Sequence, residues 1–382
     1  MELRPLGSTG FTVGELGLGC EGFLGKSAAE IGALLDLLTA AGGSAIDLYS
    51  PDPQMRRSLG AALAGRRDRF VLQGHLCSVW KNGQYERTRE IGAVRAGFET
   101  LLRELGTDRV EIGMIHYVDS EADWDAIAHG PVLAYAKELR AAGRIGCIGL
   151  SSHNPKVARR AVETGEIGAL MFSVNPCYDL QPAGEDLELL WADESYEHAL
   201  CNMDPDRAGL YELCQSRGVG ITVMKAFGGG DLLRAAESPA KAALTPYQCI
   251  AYALGRPGVA CVMLGAHTPA ELESDLGYET APAAARDYAA ALAAFPRISW
   301  RGHCMYCGHC APCPKGIDVA AVTRFLNLAA AQQTVPETVR GHYGLLAHTA
   351  GECIACGACE RRCPFGVPAV ANMARARELF GC

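Results

Sequence analysis

The strongest constraint on this chain is an alternation that repeats eight times. Between Gly14 and Ala266 the apolar runs GELGLGC, GSAIDL, RFVLQG, VEIGMIHY, RIGCIGLSS, GALMFSV, GVGITVMK and GVACVMLGA follow one another in order. Amphipathic stretches such as AAEIGALLDLLTAAG, AYAKELRAAG and PYQCIAYALG lie between them, and several close on a glycine suited to a helix C-cap. Strands joined by helical crossovers read as a parallel sheet. Eight units match the strand count of a closed (β/α)8 TIM barrel, whereas an open doubly wound sheet more often has about five to seven strands. The expected fold class is therefore α/β, with a (β/α)8 barrel over residues 1–297 and a smaller module over 298–382. In such a barrel the working groups sit where strands end, so Asp47, at the end of the second run, faces the mouth.

The second constraint is cysteine. The chain has 17 cysteines in 382 residues, and MELRPLGSTG at its start lacks the charged-then-apolar build of a signal peptide. The expected compartment is the cytoplasm, where disulfides are rare, so another chemistry should use the thiols. Eight of the 17 fall in two runs, CMYCGHCAPCPKG and CIACGACERRCPFG. The second run has the C-x2-C-x2-C-x3-C-P spacing that wraps a [4Fe–4S] cube, with the fourth cysteine reaching across to a second cube. On that logic Cys304, Cys307, Cys310 and Cys363 hold one cluster, and Cys353, Cys356, Cys359 and Cys313 hold the other. The first run is one residue short before Cys313, which makes that ligand the least regular. Zinc on paired C-x2-C units is the alternative. Residues from about 300 to 382 resemble a bacterial two-cluster ferredoxin domain, with a longer helical segment between the runs.

Several pieces of the first part resemble one family together. MELRPLGSTGFTVGELGLG is similar to the N-terminal hairpin of aldo-keto reductases, IDLYSPDPQMRRSLGAAL to their strand-two loop, and RVEIGMIHYVD to their strand-four motif. RIGCIGLSSHN and GVACVMLGAHTPAELESDL are similar to the strand-five and strand-eight motifs. With the cysteine-rich tail, the chain resembles the subgroup of aldo-keto reductases that carries a C-terminal two-[4Fe–4S] ferredoxin-type domain.

That resemblance implies hydride transfer from NADP(H) to a carbonyl, with a Tyr acid tuned by Lys and Asp and a His that orients the substrate oxygen. Asp47 and His116 hold the Asp and His positions, but the Tyr position is Asp52 and the Lys position His75. Ordinary Asp titrates near ~3.9 and Tyr near ~10, so Asp52 would lack a proton to give at neutral pH unless Asp47 or a dry pocket raised its pKa. His75 is the more natural acid, and Asp52, between two prolines, could equally be a turn residue. Around the cofactor the resemblance assigns Ser151, Asn175, His267 and Thr268, with a phosphate held at the helix start. The neighbouring family Asn is Ser152, and the stacking aromatic is Met224.

The loop HLCSVWKNGQYERTR carries Trp80, Lys81, Tyr85, Arg87 and Arg89, which could cover an anionic or aromatic substrate or simply solvate a surface. Cys20, Cys77 and Cys177 fall just past strands and are packing residues, a reactive thiol or a third metal site. The acidic segment 177–203 reads as a lid or a dock for the tail.

A net charge of −8 without a basic stripe argues against nucleic acid, and no apolar run approaches the ~20 residues of a membrane helix. The expected protein is an iron–sulfur oxidoreductase acting on a small carbonyl, hydroxyl or unsaturated compound, with ferredoxin, flavodoxin or another redox protein as partner. A non-redox isomerase or dehydratase with structural clusters, and an electron carrier with a non-catalytic barrel, are the alternatives.

Overall fold

In the computed structural model, residues 1–186, 188–190, 192–196, 200–201, 203–295, 298–299, 302, 304–330 and 334–382 are described. Eight parallel strands close into a barrel: β1 (Leu16–Gly19), β2 (Ala45–Leu48), β3 (Val71–Leu76), β4 (Val110–Ile115), β5 (Ile145–Ser152), β6 (Ala169–Ser173), β7 (Gly220–Met224) and β8 (Val259–Leu264). Each pairs with its neighbour in chain order and β8 closes on β1, so every apolar run falls on a barrel strand. The strands are almost wholly buried because both faces are covered, and they therefore read as continuous apolar runs rather than alternating ones.

Strand alternation sorts the interior into two zones. One is apolar: Ala45, Ile112, Met114, Ala169, Met171 and Met263 share one cluster with Leu6 and with Val13 of an N-terminal hairpin (Leu3–Pro5 with Thr12–Gly14). The other is polar and lies near the ends of β2 and β3, where Asp47 and His75 stand. A second hairpin, Ser78–Lys81 with Gln84–Arg87, follows β3. Its turn is Asn82-Gly83 with φ of +54° and +79°, the left-handed pair that a two-residue hairpin loop requires.

The chain divides into two compact units by its internal contacts. One unit is 1–174, 218–226 and 259–281, and holds all eight barrel strands; the other is 175–217, 227–258 and 282–382. Within the second unit the helices Val319–Ala330 and Ala369–Phe380 pack around Val322, Leu326, Tyr343 and Met373, with Cys310, Cys313, Cys353 and Cys359 against them. Parts of the acidic segment 177–203 lie outside the described residues. Its described start is a buried polar knot in which Asp179 accepts hydrogen bonds from Tyr211 and Tyr252 (2.6 Å) and pairs with Arg207 at 3.5 Å. Among the described residues no helix is long and apolar enough to cross a membrane.

Candidate active site

At the barrel mouth three of the expected residues form one hydrogen-bonded line. His75 Nε2 lies 2.8 Å from Asp47 Oδ1, and His75 Nδ1 lies 2.8 Å from His116 Nδ1. Beyond it, His116 Nε2 lies 2.9 Å from the Tyr85 hydroxyl. The inner end is braced by Gln73, whose amide donates to Asp47 Oδ1 at 3.0 Å while its carbonyl accepts from Thr222 at 2.9 Å. Asp47 and His75 are 1% and 2% exposed, whereas Tyr85 is 41% exposed. The line thus runs from a buried carboxylate to an accessible phenol.

Backbone geometry accounts for the assembly. Asp47 is in register with Gln73, and Gln73 and His75 share a face of β3. His116 follows β4 and its backbone N–H donates to the Leu76 carbonyl, which brings its ring beside His75. The tight turn of the second hairpin returns Tyr85 over His116, the two rings meeting edge to face at 5.8 Å. Arg89 holds this corner by pairing with Asp123 and donating to the backbone carbonyls of His116 and Tyr117. Arg87 lies 4.6 Å over the Tyr117 ring. The loop arginines therefore shape the mouth as well as charge it.

Electrostatics sets the resting protonation. Burial, followed by the charge of His75 and of Arg89 and Arg87, drives the His116 pKa well below the ordinary histidine value. Burial raises the phenols of Tyr85 and of Tyr49, which stacks on His116 at 6.4 Å. With His75 Nε2–H donating to Asp47 Oδ1, one hydrogen-bond orientation satisfies the line: His75 Nδ1 accepts from His116 Nδ1–H, and His116 Nε2 accepts from the Tyr85 O–H.

Asp52 stands outside this line. It is the N-cap of the helix Pro53–Leu63, and its Oδ1 accepts from the Met55 N–H at 2.6 Å. An aspartate two residues past a strand loop and directly before Pro53 has the sequence form of a cap, and local capping here prevails over the family position. Cys20, Cys77 and Cys177 are all buried, and burial raises each thiol pKa, to about 12 for Cys20 and Cys177. These are the properties of packing cysteines rather than reactive ones.

Of the residues assigned to NADP(H), Asn175 and Thr268 have side chains that already close a turn and cap a helix. The Ser151 carbonyl accepts from Val118 N–H, and the Ser152 hydroxyl lies 3.0 Å from Asp119 Oδ1. Burial works to raise the Asp119 pKa, but hydrogen bonds and charge from His153 prevail and leave it lowered. Asn175 Oδ1 accepts from the N–H groups of Cys177 and Tyr178, closing a turn. Thr268 caps the helix Pro269–Leu276, and the Glu271 carboxylate accepts from His267 N–H at 2.7 Å. A carboxylate thus already sits where a 2′-phosphate would seek donors, so these residues do not fit that part of the cofactor.

The tail cysteines have the chemistry and loop setting of a cubane cluster's donor set, although among the described residues no three of them already converge as ligands of one metal ion. Cys304, Cys307, Cys310 and Cys363, together with Cys359, line one cavity. Main-chain N–H groups point at sulfur, from Val367 to Cys363 and from Ala355 to Cys353, each at 3.4 Å. Thiolates on tight loops with amides aimed at sulfur are the donor set of an iron–sulfur centre.

Sequence reasoning missed Gln73, Thr222 and the inner function of Tyr85. Only Tyr85 left a signal, the Asn-Gly turn that folds its loop back.

Comparison with known proteins agrees with both halves. Residues 15–248 match the aldo/keto reductase family and 303–368 a 4Fe-4S dicluster domain. Aldo-keto reductase YhdN of Bacillus subtilis is 25% identical over 189 residues, covering 47% of this chain and 54% of that protein, so the match spans about half the relative's length. The fold is similar to that of aldo-keto reductase AKR11C1 from Bacillus halodurans (TM-score 0.57, 21% identity, covering 75% of this chain and 95% of that one). It is also similar to PA4992 of Pseudomonas aeruginosa, assigned to the aldo-keto reductases (TM-score 0.55, 24% identity, 72% and 93% covered). With a closed eight-stranded barrel and a family match over more than half its length, the chain belongs to the aldo/keto reductase family.

Proposed function

We propose that the chain is an iron–sulfur oxidoreductase that acts at the barrel mouth on a small carbonyl, hydroxyl or unsaturated compound. In this reading Tyr85 exchanges a proton with substrate, and His116, His75 and Asp47 store it. The observation that carries it is the unbroken line from Tyr85 to Asp47.

In the resting orientation the Tyr85 oxygen presents lone pairs outward, so the line can accept a proton. Substrate O–H gives its proton to the Tyr85 oxygen while Tyr85 passes its own to His116 Nε2, and His116 Nδ1–H moves to His75 Nδ1. The line then holds one extra proton, with imidazolium character on His75 beside the Asp47 carboxylate. Run backward, the same movements deliver a proton from Tyr85 to a substrate oxygen that is gaining electrons. A proton relay of this kind replaces the Tyr and Lys that the family position lacks. When bound, [4Fe–4S] clusters supply single electrons, and two such clusters fit the two cysteine runs. No step is routed through NADP(H). A small redox protein of the ferredoxin or flavodoxin type is the fitting electron partner, and a reducing cytoplasm is the fitting compartment.

The test uses anaerobically reconstituted protein holding about eight irons, a panel of small carbonyls and alcohols, and a reduced viologen or NADPH as donor. Viologen-driven turnover, with a loss of ~10²- to 10⁴-fold in Tyr85→Phe, is expected. Tyr85→Phe at the wild-type rate would sink the relay. Conversion of the panel with no electron donor would make the barrel an isomerase or dehydratase instead.

A further inference from the structure

Arg256 follows the helix Pro246–Leu254 and is 1% exposed. Its Nη2 donates to the carbonyl of Met305 at 2.6 Å, and the Tyr288 hydroxyl donates to the same oxygen at 2.6 Å. Met305 is the residue between Cys304 and Tyr306 in the first cysteine run, so the guanidinium is clamped onto the loop that joins Cys304 to Cys307. The rings of Tyr252 and Tyr306 flank it at 4.6 and 5.7 Å.

Among the described residues, no carboxylate forms an ion pair with Arg256. Two buried acids among the described residues belong to this unit: Asp179, which attracts Arg256 at longer range but is already engaged by Arg207, Tyr211 and Tyr252, and Glu212, which acts on Tyr306 and forms no ion pair with Arg256. Arg324, which donates to the Gly255 carbonyl at 3.0 Å and lies 5.1 Å over Tyr306, adds a second cation and no anion. A buried guanidinium without a partner is strongly unfavourable, so such sites come with a compensating negative charge. Here the adjoining cavity lined by Cys304, Cys307, Cys310 and Cys363 is where that charge belongs.

We propose that Arg256 is the built-in counter-ion of the iron–sulfur cluster held by these four cysteines, positioning the Cys304–Cys307 loop and favouring the reduced cluster. The inference rests on the cluster reading above. Reduction adds one negative charge to a group that is already anionic. Burial in low dielectric opposes that charge, while a fixed neighbouring cation stabilises it. Among the described residues the second run has no buried partner of this kind: Arg361 donates to the Cys356 carbonyl at 3.2 Å, but both residues are exposed, where solvent screens the charge, and Glu360 lies beside Cys359. Arg256 should therefore act on one cluster of the two.

The experiment is a reductive titration followed by electron paramagnetic resonance, with iron content, on wild type, Arg256→Gln, Arg256→Lys and Tyr288→Phe. In Arg256→Gln one midpoint should fall by at least tenfold in its reduction equilibrium, about 59 mV for one electron, and the other should stay. Arg256→Lys should stay near wild type, and Tyr288→Phe, which removes a hydrogen bond and no charge, should shift less than Gln. If Gln loses half the iron while Lys keeps it and its midpoint, the counter-ion role also stands. Unchanged midpoints in Gln, an equal fall in Gln and Lys, or equal loss of iron in both would overturn it. Wild type that holds no four-iron cluster would instead remove the parent reading.

Discussion

The barrel mouth and the first cysteine run each bury charge, and they handle it in opposite ways. At the mouth, Asp47, His75, His116 and Tyr85 satisfy one another, so the site is neutral apart from one carboxylate and can take up a single proton. In the cysteine run a permanent cation, Arg256, faces thiols and carries no carboxylate partner among the described residues. The first arrangement suits a charge that moves by exchange of hydrogen bonds. The second suits a charge that must stay in place while electrons come and go.

The sharpest way to break this comparison is at the cysteines. Cys363→Ala should lose one cluster outright and halve the iron, because Cys363 shares a cavity with Cys304, Cys307 and Cys310; Cys20→Ala, at a buried barrel cysteine, should keep all of it. Iron analysis decides between them, and equal loss in both would undo the distinction.

Next in size is Asp47→Asn. It preserves shape but removes the charge that stabilises the stored proton on His75, so turnover should fall ~10²- to 10⁴-fold while iron and cluster spectra stay unchanged. A change in the cluster spectra would mean that the two regions are not separate.

The pH dependence is smaller and has a definite sign. His116 is depressed well below its unfolded value near 6.5, so above that value it is neutral in both states and costs nothing. As pH falls below 6.5 the unfolded chain takes up a proton that the folded chain refuses, and stability drops by up to about 1.4 kcal/mol per pH unit until the folded pKa is reached. Thermal melts from pH 7.5 to 5 should show this slope, and His116→Asn should flatten it. An equal slope in both would reassign the depression.

The smallest effect concerns Asp52. As an N-cap it should lose about 1 kcal/mol on Asp52→Ala and almost nothing on Asp52→Asn, with turnover unchanged in both. A large loss of turnover in Asp52→Asn would return it to the active site.

The barrel was legible because its signal is local and repeated. Each apolar run is long enough to be a buried strand, and the helices between them carry their own caps, such as Ser27 with Glu30 and Thr245 with Gln248. The tail was legible because cluster geometry fixes cysteine spacing. Asp47, His75 and His116 could be named because strand ends point at the mouth, yet their order in a line could not, since it depends on the register of β2 against β3 and on ring orientation. Tyr85 was visible only as a loop residue. Gln73 and Thr222 look like any polar residue in a strand, and their contact spans 149 positions of sequence. Arg256 looks like a helix C-terminal cation, and nothing local says that it reaches Met305. At Asp52 the family position suggested chemistry and the flanking prolines a turn, and the structure adds a capping contact to Met55 three residues on.

The inner end of the line has a consequence for the order of events. In the proposed relay Asp47, 1% exposed, is the inner end, and Tyr85, 41% exposed, is the end that substrate and solvent reach. A proton that enters through that hydroxyl leaves through it. While product covers that end the stored proton is trapped, and a second turnover in the same direction waits until product departs and solvent resets the line. Traffic is last in, first out, so slowing proton exchange with deuterated solvent should lengthen the interval between turnovers and leave the first turnover after mixing less affected.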